Sequence, residues 1–304
     1  MTSQNRPTNE EIYEHITKGY IPLCYQSQYC KNLALNEITI PQKLYQYCPF
    51  DEKNHSINNF KKSEIFCSSV ENFSDSFEGA LTIHELDRMF KDNCIDMNSI
   101  PFVNEEIKTE ILHTNCQART NKMVKNLYGI SCFAPQNDSK YMWGLYADKS
   151  KGFCVEYDFT KFNFDNNNSF ISPVAYSDTR IDYSHQMKEC ENDCKKCLQS
   201  LLSIRKALVT KNSDLGHEEE WRIICKNPLW KNWGSKFLDD AFNGVPLDVS
   251  SCITGLYLGA MIGKSDKDNV AQIIKQAENL KIPIYQKEMS PDKFELTEKL
   301  IWSP

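Results

Sequence analysis

The sequence predicts an α+β protein with mixed, mostly antiparallel sheets and helical insertions. Seven or more short segments have strand composition and are bounded by proline, glycine or polar turns. Helical patterns are bunched between them instead of alternating strand by strand, which disfavours a doubly wound fold. With 304 residues, 40% hydrophobic and 12% aromatic, the chain can bury one large core without disulfide staples. On this pattern residues 1–40 form an N-terminal helical extension. Residues 41–304 form a single α+β domain with helical insertions at about 80–126 and 180–210.

In order, Thr8 to about Asn36 reads as helical: Asn9-Glu10-Glu11 suits a helix start, and Ile12, Ile16 and Tyr20 share a face. This extension is expected to pack, not to react. Lys43 to Cys48, between Pro41 and Pro49, is short and aromatic and reads as a strand. After a polar loop, Glu64 to Ser68 reads as a second strand. It leads into the polar loop Glu71 to Gly79, anchored by Phe73 and Phe77, and such loops carry function more often than cores do. Leu81 to about Val124 turns helical, interrupted at Asn98 to Pro101, as an insertion or lid would be. Tyr128 to Phe133 and Gly152 to Asp158 read as strands, with one or two helical turns between them at Met142 to Ala147.

Lys161 to Ser169 reads as a loop, Val174-Ala175-Tyr176 as a short strand, and Ile181 to Thr210 as the clearest helix. An acid-rich turn then runs into a strand starting at Glu220-Trp221-Arg222. Leu229 to Asn243 is an irregular loop or short helix, and Leu256-Tyr257-Leu258 a strand. Asp268 to Leu280 is an amphipathic helix with Val270, Ile273, Ile274 and Ala277 inward, followed by a strand at Ile282 to Gln286.

A formal net charge of -6 and a pI near 5.6 argue against a protein that coats nucleic acid, whose phosphates need a basic field. Thirteen cysteines lie scattered through apolar segments, and the opening residues lack the apolar core of a signal peptide. Free thiols in a reducing cytoplasm are expected. The most apolar run, Cys252 to Gly263, spaces its glycines four apart, yet a bilayer span takes roughly 20 apolar residues. It reads as a buried strand and a glycine turn, with no membrane partner. Nor do these glycines make the tight G-x-G turn of a dinucleotide fingerprint.

Cys190, Cys194 and Cys197 have the C-x3-C-x2-C spacing that holds four-iron clusters in radical enzymes. They also continue one three-four alternation with Met187, Leu201, Ile204 and Leu208, so they read as an apolar helical stripe. A zinc site using His185 lacks a second paired motif, and no metal is expected.

The candidate chemistry centres on Lys211 to Lys226. Glu218, Glu219 and Glu220 repel one another, so at least one is expected to have a raised pKa at the mouth of a buried strand. Strand alternation sends Glu220 and Arg222 one way and Glu219 and Trp221 the other. The plain alternative is a solvated charged loop leading into an edge strand.

Four motifs together resemble a prokaryotic family known as domain of unknown function 2971. The family's opening strand L-Y-K-Y-R is matched by Leu44-Tyr45-Gln46-Tyr47-Cys48, with Gln46 and Cys48 replacing the two basic residues. Its N-D-P-F-E loop is matched by Ser74-Asp75-Ser76-Phe77-Glu78. Its M-W-x-x-Y-A segment and following G-F are matched by Met142-Trp143, Tyr146-Ala147 and Gly152-Phe153, without the usual histidine before the glycine. Its lysine and E-x-E-W-R are matched by Lys211 and by Glu218, Glu220, Trp221 and Arg222. The resemblance runs from about Leu44 to Tyr285.

The order of these motifs is similar, more distantly, to ADP-ribosyltransferase-like domains. That resemblance implies an NAD-consuming enzyme, transferring ADP-ribose or hydrolysing NAD, in a prokaryotic defence or toxin role. NAD would be the substrate and a protein or nucleic acid the macromolecular acceptor. Glu220, Tyr146 and Tyr47 would be catalytic, and Tyr45, Lys211, Arg222, Trp143 and Asp75 would bind the nucleotide. Glu220 would stabilise an oxocarbenium-like centre, Tyr146 would stack on nicotinamide, and Arg222 or Lys211 would neutralise pyrophosphate. Without that resemblance, Tyr45, Tyr47, Trp143 and Tyr146 read as packing aromatics, and Asp75 and Glu78 as turn and cap residues. The alternative function is a non-catalytic module that senses a nucleotide or phage component.

Overall fold

Strand β4, Phe153–Tyr157, is buried along its whole length, and the first sheet is built outward from it. On one side lies β1, Leu44–Cys48, antiparallel to it; on the other lies β10, Ile253–Leu258, also antiparallel. Beyond β10 come β11, Ile284–Met289, in parallel, and β12, Leu296–Trp302, antiparallel at the edge. A parallel pair needs a crossover. Here it is the amphipathic helix α4, Lys267–Leu280, capped at its start by the Asp266 side chain and burying Ile273 and Ala277.

These are features of a computed structural model that describes residues 6–18, 38–75, 77–82, 121–122, 124–164, 169–182, 203–228 and 242–304. Several expectations lie outside those residues: the N-terminal extension from 19 to 37, the insertion from 83 to 120, the cysteine-bearing helix from 183 to 202, and the loop from 229 to 241.

The second sheet is antiparallel throughout, in the order β5, Ser169–Pro173; β8, Trp221–Lys226; β3, Tyr128–Phe133; β2, Glu64–Ser69; and β9, Gly244–Asp248. A parallel two-stranded ribbon pairs β6, Ala175–Tyr176, with β7, Thr210–Lys211. The architecture is therefore α+β with mixed, mostly antiparallel sheets, as the strand and helix pattern predicts.

The sheets face each other across one apolar core. Phe153, Val155 and Tyr157 of β4 meet Trp221, Ile223 and Cys225 of β8, because alternate residues of each strand point to the same side. Tyr45 on β1 exchanges two backbone hydrogen bonds of 2.8 Å with Ala134, which ties the sheets together at one edge. The outer face of the second sheet is covered by α1, Asn9–Lys18, through Ile12 and Ile16, and by the helical residues 203–208 through Ile204, Ala207 and Leu208.

The polar stretch after Pro49 holds a helix that the sequence reading treats as loop: α2, His55–Lys62. Its only buried residues are Ile57 and Phe60, one turn apart, and Asp51 accepts hydrogen bonds from the backbone of Lys53, His55 and Ser56 at its start. Cys252 to Gly263 is β10 and a turn, in line with its reading as a buried strand. No helix among the described residues is long and apolar enough to cross a membrane.

Strands β2 and β3 approach closely at Gly129, where an added Cβ would sit 2.3 Å from the Cys67 carbonyl oxygen. Backbone on a neighbouring strand cannot move aside cheaply. Gly129→Ala is expected to cost about 1–3 kcal/mol by overpacking, measured as a lowered denaturant midpoint.

Candidate functional site

At the mouth of β8, Glu78, Glu218 and Glu220 converge on Lys211 and Arg222. The Lys211 ammonium lies 2.6 Å from Glu218 Oε2, 3.1 Å from Glu220 Oε2 and 3.8 Å from Glu78 Oε1. Arg222 donates from Nε to Glu220 Oε1 at 2.7 Å, from Nη2 to Glu78 Oε1 at 2.8 Å, and from Nη1 to the Leu208 carbonyl at 2.6 Å. The cluster is inside the protein: Glu78, Glu218 and Glu220 are 3%, 4% and 4% exposed, and Arg222 is 0% exposed. Three carboxylates against two cations leave a formal excess of one negative charge.

Local chain chemistry explains the convergence. Asn212 caps a 3-10 turn over Ser213–Glu218, which ends at Glu219 in a left-handed conformation (φ 48°). That one residue reverses the chain, so Glu218 and Glu220 both turn inward while Glu219 turns toward Gln136, whose side-chain amide donates to it at 3.3 Å. Strand alternation then places Arg222 beside Glu220 and sends Trp221 into the core between the sheets.

Lys211 is held by the β6–β7 ribbon, whose backbone bonds include Ser177 N–H to the Lys211 carbonyl at 2.9 Å. Glu78 arrives on a turn in which Asp75 accepts from the Phe77 backbone at 2.8 Å and Gly79 takes a positive φ of 62°. The Glu220 backbone N–H donates to the Tyr176 hydroxyl at 3.0 Å, and the Arg6 guanidinium covers the Tyr176 ring at 4.5 Å.

A raised carboxyl is expected of at least one of Glu218, Glu219 and Glu220, and the Glu220 carboxyl shifts the other way. Burial alone would push it up, but the Arg222 guanidinium and the Lys211 ammonium outweigh burial and hold it at about 2, below its ordinary 4.5. Opposite charges within hydrogen-bonding distance decide the sign, and like-charge repulsion from the neighbouring glutamates does not. Burial likewise works against the charge on Lys211, while Glu220 and Glu218 keep it ionised and raise its pKa. Tyr146 donates its hydroxyl to Glu218 Oε1 at 2.7 Å, and partial burial and that carboxylate raise its pKa.

Beside the cluster is a pocket of about 200 Å³ whose walls include Asp75, Glu78, Arg180, Thr210, Lys211 and Asn212. Five of the eight expected site residues thus meet at one place: Glu220, Arg222 and Lys211 in the cluster, Tyr146 on Glu218, and Asp75 in the pocket wall. The remaining three lie in a neighbouring aromatic cluster with Cys154 and Tyr257. Tyr47 packs edge-on against Trp143 with ring centroids 5.3 Å apart, and Trp143 is fully buried with its N–H on the Asn137 carbonyl at 2.7 Å. Trp143 belongs to α3, Lys140–Leu145, whose last turn carries Tyr146. Tyr47 also donates to the Gln136 carbonyl at 2.8 Å, and Gln136 in turn contacts Glu219.

Tyr45 is elsewhere. Its hydroxyl donates at 3.1 Å to Glu156, a second buried carboxylate also served by Tyr257 at 2.8 Å, Thr254 at 2.8 Å and Lys43 at 3.1 Å. Alternation along β1 separates these tyrosines from Leu44, Gln46 and Cys48, which turn inward; Gln46 donates to Ser131 Oγ at 3.0 Å, and burial pushes the Cys48 thiol up to about 12.

Two cluster members, Glu78 and Glu218, are absent from the site residues expected from sequence. Each is the acidic residue of a quoted motif, at the end of Ser74 to Glu78 and at the head of Glu218-x-Glu220. Among the described residues no group of three or more histidine, cysteine or carboxylate side chains is arranged to hold a metal ion.

No curated protein and no solved structure matches the chain. Residues 142–223 match the family model described as Protein of unknown function (DUF2971). The matched stretch runs from Met142 through α3, Lys211 and the carboxylates at the mouth of β8. Tyr146, Lys211, Glu218, Glu220 and Arg222 all lie in the matched stretch, so this part of the chain is similar to the DUF2971 family.

Proposed function

We propose that this protein consumes NAD by an ADP-ribosyltransferase-like reaction, passing ADP-ribose to a macromolecular acceptor or to water. The observation that carries the reading is the buried carboxylate cluster with one negative charge in excess, set beside an open pocket. In this reaction the bond from ribose C1′ to the nicotinamide nitrogen breaks, and its electron pair leaves with nicotinamide. Positive charge develops at C1′, and a pre-formed negative site stabilises it without reorganising. The acceptor or water then forms the new bond to C1′ and gives up its proton.

Within this reading Glu220 is the centre of the negative site, and Lys211 and Arg222 hold its geometry. Lys211 also faces the pocket, where it can meet a phosphate. Tyr146, partly exposed and bonded to Glu218, offers a ring for nicotinamide, at the end of the helix whose Trp143 packs against Tyr47. Asp75 lines the approach, and Tyr45 supports β1. A role in prokaryotic defence or as a toxin effector follows from the resemblance by analogy.

Incubation with NAD while following nicotinamide release tests this. Wild type is expected to release nicotinamide and Glu220→Gln to be slower by about 100-fold or more, the scale for loss of a pre-organised electrostatic contact. No release by wild type, or equal release by the variant, removes the proposal.

One observation favours a second reading. Both Glu220 oxygens are committed to ion pairs, which suits a non-catalytic module binding a nucleotide or phage component. Its sign would be a thermal shift with a nucleotide and no turnover.

A further inference from the structure

The cluster's carboxylates are not equivalent. Glu220 accepts from Arg222 on Oε1 and from Lys211 on Oε2, and Glu218 accepts from Tyr146 on Oε1 and from Lys211 on Oε2. Glu78 is different: Oε1 takes Arg222 Nη2 at 2.8 Å, while Oε2 is buried and has no hydrogen-bond partner among the described residues. An ionised oxygen left unsatisfied in the interior is costly, and an orphan of this kind calls for an explanation. Glu78 is also a wall residue of the 200 Å³ pocket, whereas Glu218 and Glu220 are not.

The other walls limit what the orphan oxygen can meet. A donor is required, either a hydroxyl or a cation. Arg180 and Lys211 line the same pocket and suit a phosphate, while Asp75 and Asp178 on the same walls add acceptors beside Glu78. The guanidinium of Arg180 is held over the Phe77 ring, 4.6 Å from its centroid. Drug-sized ligands fill pockets of roughly 300–1,000 Å³, so this one suits a smaller unit such as one sugar ring with its phosphate.

We propose that Glu78 is the carboxylate that touches substrate, accepting a hydrogen bond from a ribose hydroxyl of a nucleotide whose phosphate meets Lys211 and Arg180. Glu220, which does not line the pocket, then lends its charge to the negative site without touching the substrate. The choice of ribose, and of a neutral hydroxyl over a cation, rests on the function proposed above.

Calorimetric titration of the full chain with AMP and with 2′,3′-dideoxy-AMP tests the assignment without turnover. Wild type is expected to bind AMP at least about tenfold tighter, the scale of one hydrogen bond to a charged group. Glu78→Gln is expected to lose that preference, and a thermal melt establishes that the variant is folded. Equal affinity of wild type for the two ligands, or no binding of either, overturns the proposal whatever the variant does. So does a folded Glu78→Gln that keeps the preference. Arg180→Ala gives a second reading: it is expected to weaken AMP by more than it weakens adenosine, and an equal effect on both removes the phosphate assignment. A hydroxyl preference without nicotinamide release would sink the NAD reaction and leave this site standing. Nicotinamide release without the preference would do the reverse.

Discussion

Arg222→Leu is expected to lower folding stability by about 3–5 kcal/mol, the usual cost of removing one partner from a buried ion pair. Arg222 is fully buried, and its guanidinium serves Glu220, Glu78 and the Leu208 carbonyl at 2.6–2.8 Å. Leucine fills part of the space but leaves two carboxylates facing each other with only Lys211 between them. The loss comes from those stranded charges and not from missing volume. A urea titration measures it, and at about 2–4 °C per kcal/mol a melting curve should fall by roughly 10 °C. A drop under about 1 kcal/mol would show that the guanidinium does not compensate the glutamates. Adding Glu78→Leu and Glu220→Leu to Arg222→Leu should recover much of the loss, because an apolar replacement of a whole buried ion cluster is often neutral or better.

Acid is expected to remove stability through the same cluster. The Glu220 carboxyl is held at about 2 against an ordinary 4.5, because Arg222 and Lys211 overcome the burial that opposes them. A depressed carboxyl stabilises the fold fully above the unfolded value, so this contribution is complete above pH 4.5 and lost as pH falls toward 2. At ~1.4 kcal/mol per pH unit it amounts to about 3 kcal/mol. Asp51, Asp158, Asp248 and Glu156 also have lowered values, so acid weakens the protein at several places at once. The diagnostic is the difference between wild type and Glu220→Gln. Urea midpoints from pH 6 to pH 2.5 should converge as pH falls, since the variant has no such charge to lose. Parallel curves would mean that Glu220 is not held ionised.

The parts of the fold that escape a reading of the sequence share a physical cause. Strands β5, β9 and β12 are all edges, and all three were invisible as patterns. Edge strands bury less and need fewer backbone partners, so they tolerate residues that interior strands exclude. Pro173 ends β5, Pro246 sits inside β9, and β12 is largely exposed with Glu298 and Lys299 in its middle. Central strands β3, β4 and β10 were legible because burial on both faces makes them largely apolar. Helix α2 was hidden by the reverse situation, two buried side chains in a polar stretch.

At the site, alternation along β8 correctly pairs Glu220 with Arg222 on one side and puts Trp221 on the other. The sign of the Glu220 shift was not legible, because it depends on Lys211 at 3.1 Å as well as on the neighbouring strand residue. Nor was the separation of Tyr45 from the cluster, which follows from a partner, Glu156, on β4.

Local chemistry alone set the α+β class, the interior strands, the direction in which each side chain leaves β1 and β8, and the family that the motifs resemble. These follow from periodicity and from short-range preferences that neighbouring residues impose on one another. Which carboxylates share a cation, and which keeps an oxygen free, came from contacts between segments as far apart as Glu78 and Arg222. Coulomb energy depends on separation in space, and chain order does not supply that separation until the two sheets and the β6–β7 ribbon are in place.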